Sequence, residues 1–164
     1  MQEKRLPPNA SAEQIAQFIG NATKKTPLKI WLKGDFSKIN FNNMNYFGNE
    51  KFGTLFCEFE EWNHFYTQNQ PIIERFHIEN DRRNSAIPLA DLCQIDSRIE
   101  PGAFIREGAT IGHNCIIMMG AVINIGAVVG NGSMIDMNAV LGARATIGEN
   151  VHVGAGAVVA GVLE

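Results

Sequence analysis

Five side chains in the second half of this 164-residue sequence could do chemistry: Arg106, His113, Asp136, Arg144 and His152. A carboxylate or an imidazole can hold or move a proton. A guanidinium can clamp a carboxylate through two parallel N–H donors. Arg106 and Arg144 are the only cations after residue 98, so an anionic ligand bound there has two candidates to hold it. The three cysteines (Cys57, Cys93, Cys115) lack CxxC spacing and leave an odd thiol. They indicate neither a zinc site nor a disulfide framework, and no metal is expected.

These residues are set in a repeat. From Ile99 an aliphatic residue recurs every six positions, through Ile105, Ile111, Ile117, Ile123, Val129, Ile135, Leu141, Ile147, Val153 and Val159. Two residues before each stands a mostly small one, such as Ala103, Cys115, Ala121, Ser133 and Ala157. Glycine or asparagine, which tolerate the positive φ of a tight corner, lie between them. Arg144 takes the slot where the series otherwise puts these two, a mildly strained place for an arginine. A period of six with such corners predicts a hexapeptide parallel β-helix, one of the solenoids recognised by internal repeat. The fold class is then mainly β, a β-helix preceded by a small α/β domain.

Three hexapeptides make one triangular coil, so residues 18 apart stack in columns about 4.8 Å apart. One outward column reads Phe104, Val122, Val140, Val158, entirely apolar. An exposed apolar stack implies a partner surface, and a homotrimer through these four residues is the economical expectation. A second outward column, Ile116, Met134, His152, neighbours a third, Glu100, Met118, Asp136, Gly154. Polar and titratable groups beside apolar ones suit a substrate groove between subunits. In that frame Met118, Met119, Asn124 and Ser133 could line the groove, and His152 could contact substrate or carry protons. His113 falls mid-corner and reads as a solvated turn residue. Asp136 occupies a slot where a polar corner residue is ordinary, so spacing alone does not give it a role.

The first 98 residues differ in composition. They hold 12 of the 14 basic and 12 of the 17 acidic residues but only 4 of the 16 glycines. Residues 1–10 read as a disordered lead-in and 11–80 as a small α/β domain. Residues 81–98 read as linker and first coil, with Ile87 and Cys93 extending the six-residue series backwards, and 99–164 as the β-helix. Ser11 with Gln14 predicts a capping box for a helix carrying Ile15, Phe18 and Ile19, ending before Pro27. Strands are expected at Leu28–Leu32 and Phe52–Phe59, and a helix over Glu60–Gln70. Trp31, Phe36, Phe47, Phe56, Phe59 and Trp62 are expected in that domain's core. The net charge of −3 does not suggest a nucleic-acid surface. The polar N-terminus lacks a signal-peptide core, and no apolar run reaches the ~18 residues of a membrane span. A cytoplasmic location is expected.

The segments MMGAVINIGA, MIDMNAVLG and HVGAGAVVAGVLE resemble the tetrahydrodipicolinate N-acyltransferases of bacterial lysine and diaminopimelate biosynthesis. KKTPLKIWLKG and ENDRRNSAIPLADL are similar to the acetyl-transferring branch of that family. The resemblance implies a left-handed β-helix and transfer of an acetyl group from acetyl-CoA, as co-substrate, to the amino group of tetrahydrodipicolinate (2-amino-6-oxopimelate). It implies that Asp136, in MIDMNA, orients or deprotonates the amine, matching a catalytic aspartate of the succinyl-transferring branch. Arg106, in FIREG, matches a family arginine and would hold a substrate carboxylate, with Arg144 as the other candidate. Family members continue past GVLE into further coils, so the resemblance implies a fragment or a truncated, inactive scaffold. Succinyl-CoA-dependent transfer, another hexapeptide acyltransferase and a non-catalytic structural β-helix remain as alternatives.

Overall fold

The computed structural model describes Leu6, residues 10–41 and residues 44–161. The lead-in expected over residues 1–10 lies, apart from Leu6 and Ala10, outside the described residues. The chain divides into two compact units. One is Thr23–Ala86; the other joins the segment that ends at Ala22 to the segment that starts at Ile87.

The Thr23–Ala86 unit is an antiparallel sheet covered by one helix. Its strands are β1 (Pro27–Gly34), β2 (Asn45–Gly48), β3 (Phe52–Glu58) and β4 (Ile73–Glu79), in the order β2-β3-β1-β4. Strict alternation in β1 sends Leu28, Ile30 and Leu32 inward, the period that one buried face requires. Against them pack Leu55 of β3 and Trp62 and Phe65 of helix α2 (Phe59–Asn69). The expectation that all six aromatics are core fails for four of them. Only Phe36 and Trp62 are buried, whereas Phe47 is 65% exposed and Trp31, Phe56 and Phe59 exceed 40%. The pleat is the cause for three of the four. Trp31 follows the phase of Lys29 and Lys33, Phe56 pairs with Lys29, and Phe47 lies opposite Thr54 on the same open face. Trp31 is held there by its Nε1–H, 3.1 Å from Glu79 Oε1, with the Lys29 ammonium 4.7 Å from its ring.

Three free thiols sit in three environments. Cys93 is exposed. Cys115 is 1% exposed, with its Sγ–H directed at the Gly130 carbonyl, 3.2 Å away. Burial, with Glu61 and Glu58 adding to it, pushes the Cys57 thiol up to about 11. Because the thiolate is the nucleophile, one thiol per chain should react rapidly with an aromatic disulfide at pH 8. Cys57 and Cys115 should react only on unfolding. Stopped-flow absorbance counts the fast equivalents, and two or more would contradict these environments.

In the other unit, helix α1 (Ala12–Asn21) begins on the expected capping box. Gln14 N–H donates to Ser11 Oγ at 3.2 Å, and Ser11 N–H donates to Gln14 Oε1 at 2.8 Å. Its Ile15 is fully buried. The helix lies along the solenoid, where a Cβ on Gly126 (φ +73°) would collide with Ile15 Cδ1. The solenoid is built from two-residue strands in three parallel sheets. The first sheet stacks β5 (Arg98–Ile99), β8 (Ile116–Ile117), β11 (Met134–Ile135) and β14 (His152–Val153). The second stacks β6 (Phe104–Ile105), β9 (Val122–Ile123), β12 (Val140–Leu141) and β15 (Val158–Val159). The third stacks β7 (Thr110–Ile111), β10 (Val128–Val129) and β13 (Thr146–Ile147).

Registers such as Val128↔Thr146 and Met134↔His152 carry the 18-residue step from coil to coil. The second residue of each strand is the large aliphatic of the repeat, and all eleven belong to or pack against one core with the small series. The corners hold positive φ at the expected glycines and asparagines and, in the remaining slot, at Arg144 (φ 65°). The six-residue series does not extend back through Cys93, which lies exposed in a 3-10 turn. Ala90 and Ile95 pack against the core instead.

Candidate active site

Each sheet edge ends in a three-residue corner, and the corners sort the candidate residues. The corner after β11 carries Asp136, Met137 and Asn138, and Asn138 takes the αL conformation (φ 56°). Asp136 is fixed by its own turn: Oδ1 accepts the Met137 N–H at 2.8 Å. Its other oxygen, Oδ2, lies 3.1 Å from Nε2 of His152, the outward residue of β14. The Met137 amide first, and the His152 contact second, hold the Asp136 carboxyl below the usual carboxylate range, because both favour the charged form. Asp136 is therefore an anion at neutral pH, with 18% of its side chain exposed against 59% for His152.

The same sheet carries a residue that sequence reasoning passed over. Arg98 stands at the outward position of β5, directly under Ile116 and Met134 in the column that ends at His152. Its Nε is 3.1 Å from Glu100 Oε1, and its Nη2 reaches Met118 Sδ at 3.4 Å. The signal is present in the sequence, since 98 is one 18-residue step before 116. A repeat counted from Ile99 leaves it out. Met118, half-buried at the next corner down from Asp136, is thus on the same ridge as Arg98, Asp136 and His152.

The other expected substrate residues lie elsewhere on the prism. Arg106 and Asn124 stack on the corner after the second sheet, where Arg106 Nη1 donates to Asn124 Oδ1 at 3.3 Å. That oxygen also accepts the Ile125 N–H at 2.8 Å. Arg144 ends the next corner along the same edge, exposed and stacked on Gly126 rather than on Asn124, with Glu13 of α1 within electrostatic reach. His113 occupies the third corner, paired with Asp96 at 3.0 Å and open to solvent. Ser133 must be corrected as a groove residue. It is fully buried, its Oγ–H donates to the Gly148 carbonyl at 2.7 Å, and its Oγ accepts the Val151 N–H at 2.9 Å. A small hydroxyl in the inward series joins two coils, and no part of it reaches the surface. Between the Asp136 ridge and the Arg106 ridge runs the apolar face, with Phe104 52%, Val122 37% and Val158 70% exposed.

Among the described residues no group of three or more His, Cys, Asp or Glu side chains could hold a metal ion. No helix among them is long and apolar enough to cross a membrane.

Residues 10–92 match the family described as tetrahydrodipicolinate succinyltransferase N-terminal. The chain belongs to that family. Residues 126–161 also match the family described as bacterial transferase hexapeptide, six repeats. Similar proteins include one from Petrotoga mobilis, 59% identical over 154 residues, covering 94% of this chain and 66% of the relative. Another from Staphylococcus epidermidis is 57% identical over 155 residues, covering 94% of this chain and 65% of the relative. A third, from Listeria monocytogenes, is 57% identical over 154 residues, covering 93% and 65%. Each of the three is named 2,3,4,5-tetrahydropyridine-2,6-dicarboxylate N-acetyltransferase. The chain spans just under two-thirds of the length of the relatives it matches.

Proposed function

We propose that this chain belongs to an enzyme that transfers an acetyl group from acetyl-CoA to the amino group of tetrahydrodipicolinate. The observation that carries the reading is the Asp136 carboxylate, kept ionised by the Met137 amide and paired with His152 on the open ridge. The names of the relatives supply the substrate and the acetyl group. The chemistry has three needs. The amine must lose a proton as it attacks the thioester, the carbonyl oxygen must be stabilised, and the substrate carboxylates need cations. Asp136 is the carboxylate on which proton removal depends. A cytoplasmic setting, where acyl-CoA is made, fits this role.

In one copy the Asp136 ridge and the Arg106–Asn124–Arg144 ridge lie on opposite sides of the Phe104–Val158 face. If three copies turn that face toward a common axis, the Asp136 ridge of each meets the Arg106 ridge of the next. The exposed apolar column supports such a homotrimer. It would unite Asp136, Met118 and His152 with the partner subunit's guanidinium groups around one dicarboxylate.

A second reading, succinyl transfer to the same acceptor, is favoured by the description of the matching family. A thiol-release assay with acetyl-CoA and succinyl-CoA against tetrahydrodipicolinate separates the two. Turnover with acetyl-CoA, falling at least ~100-fold in Asp136→Ala, is the expected result. Preference for succinyl-CoA would move the chain to the second reading. Silence with both donors would overturn both.

A further inference from the structure

We propose that His152 is the group that takes the proton from the attacking amine, and that Asp136 is its positioning partner; this rests on the acyl-transfer reading above. The two side chains divide the work by geometry. Asp136 is tied down, with Oδ1 on the Met137 amide and Oδ2 on His152, and most of its surface is covered. His152 projects from β14 with more than half of its side chain in the open. An ionised carboxylate only accepts hydrogen bonds, so the Nε2 that faces it carries the proton. The tautomer that this fixes leaves the lone pair on Nδ1. A nitrogen lone pair on an exposed, oriented ring can reach a substrate amine. The carboxylate oxygens are already engaged, and the Met137 amide favours their staying charged.

The surroundings leave this pairing undisturbed. Met134, the neighbour of His152 across the sheet, is apolar. Glu149, in the corner preceding β14, accepts from Asn131 Nδ2 at 3.0 Å. The Arg98–Glu100 pair is internally neutralised and lies at the far strand of the same sheet. Asp136 is thus the charged group in contact with the ring.

The amine nitrogen forms the C–N bond to the thioester carbonyl carbon, and its surplus proton passes to His152 Nδ1. The imidazolium so formed keeps its Nε2–H on Asp136. Collapse of the tetrahedral adduct breaks the C–S bond, and the imidazolium returns the proton to the departing CoA sulfur. The products are the amide and the free thiol, and the dyad ends as it began.

Steady-state kinetics of the full chain with acetyl-CoA and tetrahydrodipicolinate test the assignment, using His152→Ala, His152→Gln and Asp136→Asn. Both His152 variants should lose ~10²–10⁴-fold in kcat with little change in KM. Imidazole added to the buffer should restore turnover to His152→Ala, which a purely structural histidine would not allow. Asp136→Asn should lower kcat with little change in KM, because nothing then fixes the tautomer and orientation of the His152 ring. Either His152 variant turning over at the parent rate overturns the dyad and leaves the acyl-transfer reading standing. A parent chain silent with every acyl-CoA overturns both.

Discussion

A Val140→Asp chain should sediment as a single copy, whatever the parent's assembly. Val140 is half-buried in the middle of the outward column, stacked between Val122 and Val158 in the second sheet. Its side chain points away from the core, so the coil itself should tolerate the carboxylate and the far-UV spectrum should not change. An interface built on Phe104, Val122, Val140 and Val158 would not tolerate it. Desolvating an unpaired carboxylate costs at least several kcal/mol, and closed symmetry repeats that cost at every copy of the contact. The proposed trimer should dissociate and the proposed acyl transfer should fall with it, since in that assembly Asp136 and the partner subunit's arginine ridge meet across this face. Sedimentation velocity on parent and variant gives the answer. A variant that keeps the parent's assembly would remove this face from the interface.

Ile135→Ala should cost the solenoid about 2–5 kcal/mol, a large share of the ~5–15 kcal/mol by which domains are stable. Ile135 is fully buried in β11, with Ile117 on one side and Val153 on the other in the same sheet. Because a coil touches only its neighbours, a cavity at a middle coil weakens two stacking interfaces at once. The two units allow an internal control. Both tryptophans, Trp31 and Trp62, belong to the Thr23–Ala86 unit. Urea unfolding followed by circular dichroism should therefore shift to lower denaturant, while the tryptophan fluorescence transition stays in place. Phe47→Ser, on the open face of the other unit, should change stability by no more than about 0.5 kcal/mol. Coincident shifts in both signals for Ile135→Ala would mean that the units unfold as one.

The solenoid is legible in the sequence because each inward position repeats one demand, a residue of fixed size at a fixed phase. Eleven repetitions outweigh any local exception. Asp136 and His152 are each visible there too, and their spacing of 16 residues already places them on neighbouring coils. That the carboxylate turns onto the imidazole depends on the Met137 amide fixing one oxygen, which no spacing encodes. The small α/β unit is harder. In β1 and β3 the alternation itself puts Trp31 and Phe56 in phase with lysine and threonine, yet aromatic composition suggests a core. Strand β2 has four residues and β4 shows almost no buried position, so neither offers a hydrophobic period to read. Arg98 escapes because it stands one residue ahead of the first aliphatic that fits the series.

The register of the solenoid also fixes the order in which the molecule can assemble. Each ladder between coils closes a loop of the same 18 residues, so the entropic cost of adding a coil does not grow as the stack lengthens. Coils can therefore dock one after another as the chain leaves the ribosome, each on a template already formed. Helix α1 does not share that schedule. Its Ile15 is covered at a corner built by Gly126, 111 residues later in the chain. An element synthesised early is housed only when a corner in the middle of the solenoid has formed, and until then it must carry its apolar stripe in water.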